Sequence, residues 1–222
     1  MTSIPATVFL VDDEPSVLRA LSRLLRAAGY EVRAFASSRE FLADHDPAVP
    51  GCVVLDLVMP GLNGLEIHNA LMTSGPERPT IFVSAHADIP STVRAIKAGA
   101  IDFLTKPVSE EELLRAVRRA MEKDRQIREA WDELQAIGAR LATLTARELE
   151  VFHHVVAGRL NKQIAGDLGI VEKTIKVHRG RMMEKMGVHS LLDLVRMADR
   201  MEGQVSAQAD LHFSCNRFTT AR

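Results

Sequence analysis

Apolar residues in the first half of the chain come in short unbroken runs separated by stretches of helical period. Thr7 to Val11, Gly51 to Leu55 and Thr80 to Val83 are continuous and largely β-branched, the pattern of strands buried on both faces of a parallel sheet. Glu31 to Phe35 and Asp102 to Thr105 read as two further strands. Between them Leu18, Leu21, Leu24 and Leu25 recur at helical spacing, as do Val93, Ile96 and Lys97 ahead of a stop at Gly99. Five strands and five helices in strict alternation specify an α/β fold, a doubly wound five-stranded parallel sheet, whose ligands bind at the carboxyl ends of the strands.

The second half changes period. Ser109 to Ala142 is one long charged helical stretch without proline. Leu113, Leu114, Val117 and Met121 can pack on the sheet, and Ile127, Trp131, Leu134 and Ile137 continue the apolar stripe beyond it. That stripe fits a helix seeking a partner, or equally a solvated linker with Trp131 tucked against either domain. Thr145 to Glu148 is a capping box opening a helix through Ala157. Asn161 reads as the cap of the next helix, with Ile164, Ala165 and Leu168 inward. Gly169 makes a turn, and Val171, Ile175, Met182 and Met186 form the inner face of a third. A fourth runs from Ser190 to about Met201. This all-α part, with a small residue, Ala165, four positions before the turn glycine, resembles a helix-turn-helix.

Composition narrows the class. At 222 residues, 46% hydrophobic and 26% charged, the chain excludes disorder and fibres. No apolar run reaches the roughly 18 to 20 residues of a membrane helix, and Met1 to Thr7 lacks a secretory pattern, so a cytoplasmic location is expected. Cys52 and Cys215 form no CxxC pair, which argues against a disulfide framework or a zinc ribbon. Residues 1–120 carry 12 basic and 15 acidic side chains, whereas residues 143–222 carry 12 and 9. The C-terminal part is therefore the one expected to approach a polyanion.

The candidate chemistry lies at the strand ends. Strand one ends in Asp12-Asp13, strand three in Asp56, strand four in Ser84, and strand five in Lys106-Pro107. Carboxylates brought together repel unless a cation joins them, and hard oxygen ligands suit Mg²⁺. A divalent ion, a nucleophilic carboxylate, a hydroxyl and a lysine are the parts needed to move a phosphoryl group onto Asp56. Singly, each has a structural explanation: Asp13 as the cap of the helix starting near Pro15, Ser84 as a strand end, Lys106 as a surface cation.

Several segments resemble the receiver domain of bacterial two-component response regulators: Val-Asp-Asp-Glu-Pro (11 to 15), Leu-Asp-Leu-Val-Met-Pro-Gly-Leu-Asn-Gly (55 to 64), Val-Ser-Ala (83 to 85), Ala-Gly-Ala-Ile-Asp-Phe-Leu (98 to 104) and Lys-Pro (106 to 107). Leu-Thr-Ala-Arg-Glu-Leu-Glu-Val (144 to 151), Asn-Lys-Gln-Ile-Ala (161 to 165) and Lys-Thr-Ile-Lys-Val-His-Arg (173 to 179) resemble the LuxR-type DNA-binding domain. The whole resembles the NarL/FixJ family, and within it the regulators of aromatic hydrocarbon catabolism, such as those of styrene and toluene degradation.

That resemblance implies a flavodoxin/CheY-like receiver over 1–122, a helical linker over 123–142, a helix-turn-helix domain over 143–205 and a tail over 206–222. It implies that Asp56 accepts a phosphoryl group from a histidine kinase. Asp13, Asp56 and the Val58 carbonyl would hold Mg²⁺, with Asp12 contacting it through water. Lys106 would pair with the phosphate, Ser84 and Phe103 would switch together, and Pro107 would follow a cis bond. Promoter DNA would be bound through Lys173, Thr174, Lys176, Val177, His178, Arg179 and Arg181. A phosphorylation-dependent homodimer would form either through Val93, Lys97 and Ala100 or through Trp131. RNA polymerase is a further expected partner, transcriptional activation the expected output, and autophosphorylation and autodephosphorylation the most enzyme-like activities.

Two positions depart from the family. Val171 stands where a Ser or Thr usually caps the recognition helix, at a cost of about 1 kcal/mol. Gly180 lies inside the same helix, where it either permits close approach to DNA or is neutral. Among the histidines, His153-His154 point about 100° apart on a helix and make a poor metal pair, His178 can donate to a phosphate, and the rest read as surface or packing residues. Two other functions compete with this reading. A Mg²⁺-dependent aspartyl phosphatase would need a second acid two residues after Asp56, where Val58 stands. An RNA-binding antiterminator fits poorly with basic residues concentrated on one helix after a tight turn.

Overall fold

The computed structural model describes residues 6–72, 76–85 and 88–201. The tail expected over 206–222 lies outside them. Two compact units, Met1–Glu129 and Ala130–Arg222, divide inside one helix.

The first unit alternates β1 (Thr7–Val11), α1 (Pro15–Ala27), β2 (Glu31–Phe35), α2 (Ser38–Asp44), β3 (Gly51–Asp56), α3 (Gly64–Leu71), β4 (Thr80–Ser84), α4 (Ile89–Lys97) and β5 (Asp102–Thr105), then enters α5 (Glu110–Ala142). The strands form one parallel sheet in the order β2-β1-β3-β4-β5. Period-two alternation splits its core. Val8, Leu10, Val54, Ile81 and Val83 face Leu21 and Leu25 of α1 and Leu113 and Val117 of α5. Phe9, Val11, Val53, Leu55 and Phe82 face Phe41 of α2, Ile67 and Leu71 of α3, and Ala95 of α4. The doubly wound fold expected from the sequence is the fold observed.

The stripe expected on α4 is not its buried face. Ser91 and Ala95 are buried, while Val93 and Ile96 are exposed. Close packing on the sheet takes the small side chains and turns the branched ones outward.

The amino ends of the strands are closed by a polar clasp. Asp124 of α5 accepts from the Gly51 N–H at 2.8 Å and from Arg128 Nε at 2.9 Å. Arg128 also donates to the carbonyls of Pro47, Ala48 and Val49. Arg78, almost fully buried, donates to the carbonyls of Asp46, Val49 and Gly51 and stacks over Phe9. Gly51 has no alternative at its site, since φ is +144° and a Cβ would lie 1.8 Å from the Thr7 carbonyl oxygen.

The second unit packs the end of α5 with α6 (Ala146–Val156), α7 (Asn161–Leu168), α8 (Glu172–Met186) and α9, helical over 191–201. Ile137, Val151, Phe152, Val155, Ile164, Ile175, Met182, Met186 and Leu194 form its core. Farther back along the α5 stripe, Ile127, Trp131 and Leu134 are half-buried. Thr145 and Glu148 make the expected capping box. Lys185 donates to Glu148 at 2.6 Å, and with the Thr145 N–H holds that carboxyl down at about 2.

Two local expectations are corrected. Asn161 is the first residue of α7 rather than its cap: Leu160 takes the cap position, and its N–H donates to Gln163. Val171 is not part of the inner face of α8 but its exposed N-cap residue, with no side-chain acceptor to offer.

Candidate functional site

At the carboxyl ends of the strands, the segments following β1 and β5 and the last residue of β3 bring Asp12, Asp13, Lys106 and Asp56 together. Ligand oxygens of the three aspartates lie within 4.8 Å of one another. Lys106 Nζ is 2.8 Å from Oδ2 of Asp12, 2.8 Å from Oδ2 of Asp56 and 3.0 Å from Oε1 of Glu14. Backbone donors aim the carboxylates: the Glu14 N–H binds Asp12 Oδ1 and the Val58 N–H binds Asp56 Oδ1, which leaves both Oδ2 atoms toward the ammonium. The Lys106 N–H donates to the Ser84 carbonyl, and the Lys106–Pro107 bond is cis.

Burial raises the Asp12 carboxyl against the opposing pull of Lys106. Burial lowers the Lys106 ammonium, but its hydrogen bonds to Asp12, Asp56 and Glu14 outweigh that and raise it above the ordinary lysine value. Three carboxylates converging from two strand ends, one of them exposed, are a hard-oxygen donor set that fits Mg²⁺. Asp13 is not the cap of α1; Glu14 occupies that position without a side-chain bond.

Ser84 is buried, and Phe103 is half-buried against the α2–α3–α4 face of the core. Phe103 pairs with Phe82, two residues before Ser84, so Ser84 and Phe103 share one face of the sheet. Glu14 escaped the sequence reading, although it stands next to Asp12-Asp13. Gly64 escaped it too: a Cβ there would meet the Asp56 carbonyl oxygen at 2.5 Å, so the loop after β3 closes tightly only on glycine.

In the second unit, Gly169 (φ +66°) turns the chain between α7 and α8. On α8, Lys173, Lys176, Val177, Gly180 and Arg181 are exposed, and Thr174, His178 and Arg179 are half-buried. Lys176 Nζ lies 3.3 Å from Glu172 Oε1. Arg179 donates to Asn161 Oδ1 at 3.0 Å, which ties α8 back to α7. Nδ1 of His178 is buried without a partner among the described residues, so only the other ring nitrogen can meet a ligand. A Cβ on Gly180 would enter open space. On the receiver surface Val93 and Lys97 are exposed and Ala100 is half-buried against the core.

The response regulator receiver domain family matches residues 8–118, and the LuxR family of bacterial regulatory proteins matches residues 142–198. The chain is 45% identical over 199 residues to nodulation protein W of Bradyrhizobium diazoefficiens, covering 90% of this chain and 88% of that one. It is 44% identical over 202 residues to the response regulator protein TmoT of Ectopseudomonas mendocina, covering 91% and 92%. Among solved structures, the response regulator StyR is similar with a TM-score of 0.75 at 44% identity, over 88% of this chain and 99% of that one. Full-length FixJ from B. japonicum gives 0.53 at 35% identity, over 88% and 96%.

Fold and sites thus define a two-component response regulator, a receiver joined to a LuxR-type DNA-binding domain that regulates transcription rather than catalysing metabolism. The chain belongs to the NarL/FixJ family. No helix among the described residues is long and apolar enough to cross a membrane.

Proposed function

We propose that Asp56 is the phosphoacceptor of this regulator and that α8 is its recognition helix. The observation that carries the first assignment is the convergence of Asp56 with Asp12, Asp13 and Lys106 at one end of the sheet. An Asp56 carboxylate oxygen attacks the phosphorus of a kinase phosphohistidine. The O–P bond forms, the P–N bond breaks, and its electron pair leaves with the imidazole, which takes up a proton. Lys106 pairs with the incoming phosphoryl oxygens, and Ser84 offers its hydroxyl. Asp13, Asp56 and the Val58 carbonyl would hold Mg²⁺, with Asp12 contacting it through water, and the ion would supply positive charge to offset that of the phosphoryl group. Phosphorylation adds about two negative charges beside Lys106, to which Ser84 and Phe103 respond.

On DNA, the buried Ile175, Met182 and Met186 leave Lys173, Lys176, Val177 and Gly180 toward the groove. Lys176 meets a guanine and Val177 a thymine methyl. Lys173, Thr174, His178, Arg179 and Arg181 meet phosphates and position the helix. The protein acts in the cytoplasm as a phosphorylation-dependent dimer, through α4 around Val93, Lys97 and Ala100 or through Trp131 of α5, and activates promoters of aromatic hydrocarbon catabolism by contacting RNA polymerase. Incubation with acetyl phosphate and Mg²⁺, followed by mapping of the label and sedimentation of the product, tests the first step. Label retained in full by Asp56→Asn rejects the assignment, and a monomer under phosphorylating conditions rejects the dimer.

A further inference from the structure

Glu172 opens α8 and carries the acidic charge of its first turn, where the helix dipole favours an anion and where the Val171 cap contributes no side-chain acceptor. Its carboxylate reaches forward four residues to Lys176 Nζ at 3.3 Å, and both side chains remain exposed. An exposed pair of this kind contributes little to holding a helix, and its consequence lies in the side-chain conformation it favours. Lysine is a flexible point charge, and on a duplex the phosphates offer it contacts from many directions. A carboxylate on its N-terminal side draws Nζ toward the start of α8, the end at which a recognition helix meets base edges. The same carboxylate repels phosphate oxygens and so penalises any docking that lays this flank of the helix along a DNA backbone. The other exposed cations of α8, Lys173 and Arg181, have no carboxylate partner among the described residues, and Arg179 is held by the neutral Asn161.

We infer that Glu172 is a specificity-determining positioning residue: it directs Lys176 to a base edge and disfavours non-operator DNA by charge repulsion. This rests on the assignment of Lys176 to a base contact. Specificity here arises in part from a repulsive element against the wrong target.

The test uses full-length protein treated with acetyl phosphate and Mg²⁺. Fluorescence anisotropy is read on a duplex selected by that protein from random DNA, on its single-base variants, and on an unrelated duplex, each across a salt series. Glu172→Ala is expected to tighten binding to the unrelated duplex about three- to tenfold, to steepen its salt slope by up to about 1, and to lower the ratio of selected to unrelated affinity about tenfold. Glu172→Gln should reproduce these changes, because it removes the charge, and Glu172→Asp should restore part of the ratio. In a Lys176→Ala background, Glu172→Ala should leave base preference unchanged, since the residue that it directs is gone. An unchanged ratio in Glu172→Ala, or an equal loss of base preference in the Lys176→Ala background, overturns the inference. If Lys176→Ala itself leaves base preference intact, the underlying assignment of Lys176 fails instead. Thermal unfolding by circular dichroism confirms that each variant is folded.

Discussion

At the carboxyl ends of the receiver strands, Lys106 faces Asp12, Glu14 and Asp56, with Asp13 beside them. At the amino ends, Asp124 faces the Gly51 N–H and Arg128, while Arg78 and Arg128 spread their guanidinium groups over five backbone carbonyls. Both ends gather charge, but the first gathers more carboxylates than one ammonium can neutralise, and the second leaves its donors matched to acceptors. Excess negative charge is a standing demand for a cation, which in turn makes room for an anionic phosphoryl group. Matched donors and acceptors close off one end of the sheet and tie α5 to it. The receiver thus keeps its reactive end separate from the end that secures its longest helix.

The largest expected effect breaks the reactive end. Asp56→Asn should lose essentially all label from acetyl phosphate, whereas a change in the opposite clasp, in protein that is still folded, should leave labelling intact; phosphate-affinity electrophoresis reads both. Next, Asp124→Ala strands the Gly51 N–H and Arg128, and should cost about 3–5 kcal/mol in urea unfolding of the receiver. A loss below about 1 kcal/mol would mean that solvent already reaches the clasp.

The clasp should also respond to pH. His45 belongs to the clasp, its Nε2 accepting from Arg78 Nε at 3.3 Å, and burial, then the charge of Arg78, holds it down at about 4 from an ordinary 6.5. Between those values the unfolded chain binds a proton that the folded chain refuses, so stability is full above 6.5 and falls as pH drops toward 4. His45 is half-buried, and solvent screening brings the expected loss between about pH 7.5 and pH 5 down to about 1 kcal/mol; His45→Gln should flatten that part of the profile.

On DNA, Lys176→Ala should cost about 1–3 kcal/mol at one base position, and Arg179→Ala should weaken all sequences alike and lower the salt slope by about 1. Uniform loss with Lys176→Ala and altered base preference with Arg179→Ala would mean that α8 is rotated in the groove. The smallest effect sharpens the contrast between the two ends. Asp13 is exposed and makes no ion pair among the described residues, so in EDTA Asp13→Ala should change receiver stability by no more than about 0.5 kcal/mol, or raise it.

What could be read from the chain alone was whatever depends on neighbours in sequence. Unbroken apolar runs located β1, β3 and β4. The alternation of strand and helix made the strands parallel, and with that the convergence of Asp12, Asp13, Asp56 and Lys106, because every parallel strand ends at the same edge. The Thr145–Glu148 capping box is likewise a matter of three residues. Tertiary structure decided the rest. The clasp joins Gly51 to Asp124 and Pro47 to Arg128 across more than seventy residues, where no local pattern links donor to acceptor. Whether Val93 or Ala95 is buried depends on how closely α4 approaches the sheet, and Asn161, the first residue of α7 rather than its cap, accepts from a guanidinium that α8 brings to it. Periodicity assigns a residue to a face of its own element; only the packed neighbour determines which face is covered and which polar atom finds a partner there.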